Sequence, residues 1–229
     1  MDTKIFVMTH KKYEETKMDG YISLHVGRKG KPDLGYLGDD TGDSISERNA
    51  FFCELTGLYW VWKNQTCDIA GLVHYRRFLA ENGQPLGKER IEKYLEAYDC
   101  ILPHSYDITQ NGTDESISAQ YCRIHYPYDY YVLREVVQNQ VPDYLPAFDF
   151  CMQRGLLSVG NMIITRKEIL DAYCEWLFPI LFEVEKRVDI SAYDSYQQRI
   201  FGFMSERLLR VWLLHHSYRI LETNVVMRE

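Results

Sequence analysis

Residues 68–79 read DIAGLVHYRRFL. Positions 69–73 are apolar throughout, the pattern of a strand buried on both faces. The run then stops on His74, Tyr75, Arg76 and Arg77, four side chains that need hydrogen-bond partners or water. A guanidinium is planar, always charged and matched to phosphate oxygens, so two in succession at a strand end suit a diphosphate. If the strand stays regular, alternation sends one of Arg76 and Arg77 inward and the other outward. The bland alternative is an ion pair for one arginine and solvent for the other.

The same punctuation recurs on either side. KIFVMTH (4–10) is an apolar strand ending on Thr9, His10 and Lys11, and YISLHVG (21–27) is a second strand. GRKGKPDLGYLGDDTGDSIS (27–46) is loop by its Gly, Asp and Ser content, and long enough to carry function. In SERNAFFCELTGLYWVWKN (46–64), Phe51, Leu55, Leu58, Tyr59 and Trp62 recur at helical steps. Further helices are predicted at 87–98, after Pro127, and within 142–155; strands are predicted at 99–103, 156–165 and 218–226. Two long helices close the chain, RKEILDAYCEWLFPILFEVEKRV (166–188) and DSYQQRIFGFMSERLLRVWLLHH (194–216). Thr165 and Glu168 have capping-box spacing, and Pro179 is expected to kink the first of these helices. Strands alternating with helices predict an α/β fold with a mostly parallel central sheet, whose ligands bind beyond the carboxyl ends of the strands.

A chain of 229 residues suffices for one large domain, and 1–229 is read as one. The formal charge of -7 argues against nucleic acid as partner. The six cysteines lie at least 14 residues apart, which speaks against a cysteine-based zinc site and for thiols in a reducing cytoplasm. No apolar run reaches the roughly 18 residues of a membrane span, and no signal peptide is visible.

Beyond the strand ends, GDDTGD (38–43) offers Asp39 and Asp40, either as a solvated turn or as a clamp on ribose or base. Asp194 precedes a long helix, where it is either an N-cap or a general base. Glu206 is a second carboxylate on that helix, with Arg207 as a neighbour for an ion pair. Glu54 interrupts an apolar helix and needs a partner, for which Lys63 or an arginine is available. No Walker loop, His-Glu-x-x-His or Gly-x-Gly-x-x-Gly occurs, which counts against P-loop, zincin and dinucleotide chemistry.

KIFVMTHKKY, GDDTGDSIS, ELTGLYWVWKN, GLVHYRRFL, NMIITRKEILDAYCEWLFPILFEVE and YQQRIFGFMSERLLRVWL together resemble, in order, one bacterial family. It is the domain of unknown function 4422 (glycosyltransferase family 111), linked to galactofuranosyltransferases of capsule, exopolysaccharide and O-antigen synthesis. The resemblance implies a GT-A-like nucleotide-sugar domain that transfers galactofuranose from UDP-galactofuranose to a growing surface polysaccharide, with inversion. Other readings are another UDP-hexose such as UDP-galactopyranose, or a non-catalytic glycan-binding or scaffold domain. Most GT-A proteins hold Mn or Mg on an Asp-x-Asp motif; the comparable place here carries His74, Tyr75, Arg76 and Arg77, so no metal site is assigned and a divalent metal is not favoured.

By this resemblance Thr9, His10, Lys11, Asp39, Asp40, Lys63 and Asn161 bind the donor. Arg76 or Arg77, with His74, stabilises departing UDP, and Asp194, or else Glu206, takes the acceptor's proton. The implied partners are a UDP-sugar and a lipid-linked glycan acceptor. The implied place is the cytoplasm, peripherally at the inner face of the membrane.

Overall fold

A computed structural model describes residues 1–15, 17–111 and 114–228. In chain order its elements are β1 (Thr3–Thr9), β2 (Tyr21–His25), β3 (Leu37–Gly38), α1 (Asn49–Phe52), α2 (Leu55–Asn64), β4 (Ile69–His74), β5 (Arg77–Glu81), β6 (Gln84–Pro85), α3 (Lys88–Ala97) and β7 (Cys100–Pro103). Then come β8 (Tyr106–Asp107), α4 (Ile117–Ile124), α5 (Pro127–Gln140), α6 (Leu145–Met152), β9 (Leu156–Leu157), β10 (Ile163–Arg166), α7 (Lys167–Arg187), α8 (Ile200–His215) and β11 (Ile220–Met227). The chain forms two compact units, one of 1–104, 161–174 and 218–229, the other of 105–160 and 175–217. Among the described residues no helix is long and apolar enough to cross a membrane.

The first unit is built on a sheet of order β3-β2-β1-β4-β10-β7-β11-β5-β6. Apolar β1 and β4 lie side by side and parallel, with Ile5 opposite Gly71 and Val7 opposite Val73. Gly71 is required by crowding: a Cβ there would come within 2.7 Å of the Ile164 side chain and 2.8 Å of the Ile5 side chain. One face of the sheet buries Ile5, Val7, Val73, Phe78, Ile101 and Ile164 in a single cluster. Each such side chain contributes roughly 1.5–3 kcal/mol by leaving water. On the other face Gly57 of α2 lies against Met8 and Val26, where any side chain would collide with both.

The sheet is mixed, which corrects the expectation of a mostly parallel one. β3, β2, β1 and β4 are mutually parallel. β10 runs antiparallel to both β4 and β7, and β5 runs antiparallel to β11. For β5 the cause lies in the opening stretch. The strand predicted to run through Arg77 stops at His74, turns on Tyr75 and Arg76, and returns as β5 with His74 paired to Arg77. The helix predicted over 46–64 is likewise divided, because Cys53 takes φ 51°. The capping box also fails: the Thr165 hydroxyl instead donates to the Asp99 carbonyl at 2.7 Å, bracing β10 against β7. α7 runs through Pro179 without ending there.

The second unit is helical, with a two-stranded ribbon of β8 and β9. The long C-terminal helix is α8, which starts at Ile200 rather than 194 and buries Met204, Leu208, Val211 and Trp212. Among the described residues two charged groups are buried here. Arg207 is 3% exposed; it donates to the Phe203 carbonyl at 2.8 Å and to Gln120 Oε1 at 2.9 Å, with its guanidinium 4.8 Å from the Tyr121 ring centroid. Asp129, in the first turn of α5, is 1% exposed and accepts the Tyr193 hydroxyl at 2.9 Å.

Burial pushes the Asp129 carboxyl up to about 6, against a smaller opposing effect of the Tyr193 bond. The folded state therefore holds this proton more tightly than the unfolded chain does. Its contribution to stability is greatest below the unfolded value and is lost as pH rises toward about 6. Asp129→Asn keeps an acceptor for Tyr193 and removes the titration. In urea denaturation the variant should exceed wild type by about 1–3 kcal/mol at pH 7.5. That gap should close near pH 4, and a gap independent of pH would contradict the account.

Candidate functional site

The strand order reverses between β1 and β4, and such switch points open a crevice beyond the carboxyl ends of the strands. At the end of β1, buried Thr9 directs its hydroxyl to the Lys11 carbonyl at 2.6 Å and accepts the Lys11 N–H at 3.2 Å. That tight turn leaves His10 and Lys11 exposed. At the end of β4, the Tyr75 N–H donates to the Met8 carbonyl at 3.1 Å and the Arg228 N–H to the Arg76 carbonyl at 3.0 Å. The turn is thereby tied to β1.

Tyr75 is the centre of the group. The His10 ring meets it edge-on at 5.6 Å, and the Tyr13 ring lies 5.8 Å away. Lys11 Nζ and the Arg76 guanidinium each lie 5.4 Å from its centroid. Lys12 Nζ lies 5.1 Å from the Tyr36 ring, which itself neighbours Tyr13. Cation–ring contacts at exposed sites contribute about 0.5–1 kcal/mol each, enough to bias where these heads rest. Arg77 is exposed on the adjacent strand and His74 is half-exposed. An acidic protein thus gathers cations at one strand margin.

Beside this margin, β2 ends on His25, in register with Thr9. His25 is 1% exposed, burial lowers its pKa, and its Nδ1 has no hydrogen-bond partner among the described residues. The Asp39 N–H donates to the His25 carbonyl at 3.2 Å. Asp39 itself is fully buried, and its carboxylate takes four donors: the N–H groups of Gly27 and Arg28 and the hydroxyls of Ser46 and Thr56. So committed, Asp39 holds the loop in place. Asp40 is different: its buried Oδ1 lies 3.7 Å from Arg28 Nε, beyond hydrogen-bond reach, and has no such partner. Two buried polar atoms left this way, His25 Nδ1 and Asp40 Oδ1, favour a ligand that can satisfy them.

Asn161 adopts φ 50°, is buried, and donates from Nδ2 to Glu54 Oε1 at 2.7 Å. That bond supplies the partner Glu54 needs. Lys63 instead rests 3.5 Å from the Trp62 ring centroid at the far end of α2, with no contact to the Tyr75 group. Asp194 and Glu206 belong to the second unit. Asp194 Oδ1 accepts the N–H groups of Tyr196 and Gln197, capping the turn that leads into α8. Glu206 Oε1 accepts the Gly160 N–H at 2.5 Å. Among the described residues no group of three or more His, Cys, Asp or Glu side chains is placed to hold a metal ion.

His25, Tyr13 and Tyr36 escaped the sequence reading as site residues, and Tyr75 entered it only as a member of the polar strand end, with no role of its own. For His25 a signal existed, since it ends an apolar strand as His74 does. For the tyrosines it did not, because their role depends on which cations the fold sets around them.

A family model described as a domain of unknown function, DUF4422, matches residues 4–217. Among solved structures the chain is similar to the apo structure of WbbM, a bifunctional glycosyltransferase, with 29% identity and a TM-score of 0.91. The match covers 99% of this chain and 45% of that one, so the chain spans less than half the length of the matched protein. No curated protein matches.

Because four donors converge on Asp39, Asp39→Ala should cost about 3–5 kcal/mol in chemical denaturation. Thr56→Val, which removes one donor at constant shape, should cost about 1–2 kcal/mol. An Asp39→Ala variant within 1 kcal/mol of wild type would show that the carboxylate does not hold this loop.

Proposed function

The chain belongs to the DUF4422 family, and from that premise we propose that residues 1–229 act as one GT-A-like glycosyltransferase domain. It moves a sugar from a UDP carrier to a glycan acceptor, with galactofuranose from UDP-galactofuranose as the favoured donor. The observation that carries this reading is the gathering of Lys11, Arg76 and His10 around Tyr75 at the switch point of the sheet. Similarity to a bifunctional glycosyltransferase supports it.

In this reading Lys11, Arg76 and Arg77, with His10 and His74, face the diphosphate. Fixed cations stabilise the charge that develops as the sugar–phosphate bond breaks. The Thr9 turn presents them. Asp40 and His25 meet the base or ribose, Asp39 holds their loop, and Asn161 touches sugar hydroxyls. The acceptor hydroxyl attacks the anomeric carbon, UDP leaves with the bonding electrons, and the proton passes to Asp194, or to Glu206 in its place. One displacement inverts the centre. The acceptor is a growing bacterial surface polysaccharide; if it is carried on lipid, the protein meets it at the membrane face from the cytoplasm.

A thermal-shift titration with UDP separates this from a purely glycan-binding or scaffold domain. Wild type should gain stability, by about 2.7 kcal/mol at a hundredfold excess over the dissociation constant. A chain that does not respond to UDP and releases none from a panel of UDP-sugars is not this enzyme. UDP-galactopyranose turning over faster than UDP-galactofuranose would move the donor assignment.

The roles are read from variants. Arg76→Ala and Arg77→Ala, made singly, should lower turnover by on the order of 10- to 100-fold with the fold intact. Asp194→Asn retains the capping oxygen, so abolished transfer with normal UDP stabilisation would report proton acceptance alone. Activity in that variant, with loss in Glu206→Gln, would exchange the two. Full activity after exhaustive chelation fits the arginine reading, whereas loss rescued by manganese overturns it.

A further inference from the structure

Among the described residues thirteen large hydrophobic side chains are exposed, and ten of them lie in the second unit. Four of these ten are tyrosines near the α4–α5 junction and the approach to α8: Tyr126 at 40%, Tyr128 at 62%, Tyr131 at 62% and Tyr196 at 54% exposure. Exposed tyrosines present flat apolar rings, which match the C–H face of a sugar.

Several of these rings are stacked into place. Tyr126 stacks on Tyr193 with centroids 3.9 Å apart and planes 18° apart. His125, next in the chain, stacks on Phe203 at 4.3 Å and lies nearly parallel to Tyr196 at 6.2 Å. Gln197 ties the two segments together, with Nε2 donating to the Ile124 carbonyl and Oε1 meeting His125 Nδ1, both at 2.8 Å. The Tyr193 hydroxyl is anchored on buried Asp129. The His125 ring also packs on the buried Tyr121 ring, with centroids 4.8 Å apart. Ordering these rings in advance lowers the entropic cost of stacking a ligand on them.

We propose that the ledge formed by Tyr126, Tyr193, His125 and Tyr196 is a carbohydrate-binding subsite that takes the neutral sugar rings of the acceptor glycan. The proposal deepens the transferase reading and rests on it for the word acceptor. Exposed Asp194 lies between Tyr193 and Tyr196 in the chain. A sugar stacked on the ledge brings its hydroxyls to the carboxylate assigned as base. The tyrosines bind and orient; they perform no bond chemistry.

The test uses the full chain with galactobiose and maltotriose as probes, read by saturation-transfer NMR on the sugar C–H protons, alongside the UDP thermal shift. Wild type, Tyr126→Phe and Tyr196→Phe should bind galactobiose alike, because the ring is kept. Tyr126→Ala and Tyr196→Ala should weaken it tenfold or more while the UDP shift stays unchanged. Should Tyr126→Ala fail to fold, Tyr196→Ser carries the comparison alone. Alanine variants that bind sugar like wild type overturn the ledge, as does a wild type that binds UDP but neither sugar. Sugar binding that depends on the ledge in a chain indifferent to UDP keeps the subsite and removes the transferase reading, so the two failures are distinguishable.

Discussion

A strand buried on both faces can place polar side chains only where it ends, and β1 and β4 are such strands. Their parallel pairing brings both carboxyl ends to one margin, and the bond from the Tyr75 N–H to the Met8 carbonyl fixes the turn of one against the tip of the other. The remaining organisation of the first unit follows from this. Without that pairing, His10, Lys11 and Arg76 would be unrelated surface groups. With it, they surround one tyrosine ring. The negative net charge of the chain is no obstacle, because a ligand's phosphates respond to the local field of nearby fixed cations more than to distant screened carboxylates.

The loop beside this margin depends on a second constraint of a different kind. Taking a carboxylate fully out of water costs several kcal/mol, and only a complete set of donors offsets it. Asp39 has such a set, drawn from the segments before and after it. Asp40, one residue on, has an incomplete one. Two adjacent aspartates therefore do opposite things: one is consumed by the fold and the other keeps bonding capacity.

In the second unit the buried charges are Asp129 and Arg207, and each is held by neutral partners: a tyrosine hydroxyl in one case, a carbonyl and a glutamine in the other. Their surroundings are mostly aromatic. The loop bearing Asp194 is fastened by ring stacking and by Gln197 rather than by regular structure. Directional contacts of this sort hold a loop in one conformation while leaving its outer rings exposed.

Residue pattern alone determined much of this protein. The apolar runs at 5–8 and 69–73 read as buried strands, and the polar clusters after them as strand ends. The spacing of Ile169, Tyr173, Leu177, Leu181 and Val184 could only be a helical face, and α7 forms there. Family kinship was also legible, because six phrases in fixed order survive as sequence. Tertiary structure alone decided the rest. Whether β4 continued or reversed at Tyr75 and Arg76 depended on β11 being present to pair with the returning strand, a partner more than a hundred residues away. Which of Asp39 and Asp40 was buried depended on donors from Gly27 to Thr56. Tyr75 became a platform only when the ends of two distant strands met. Local sequence specifies what a residue can do; the long-range pairing of strands specifies what it meets.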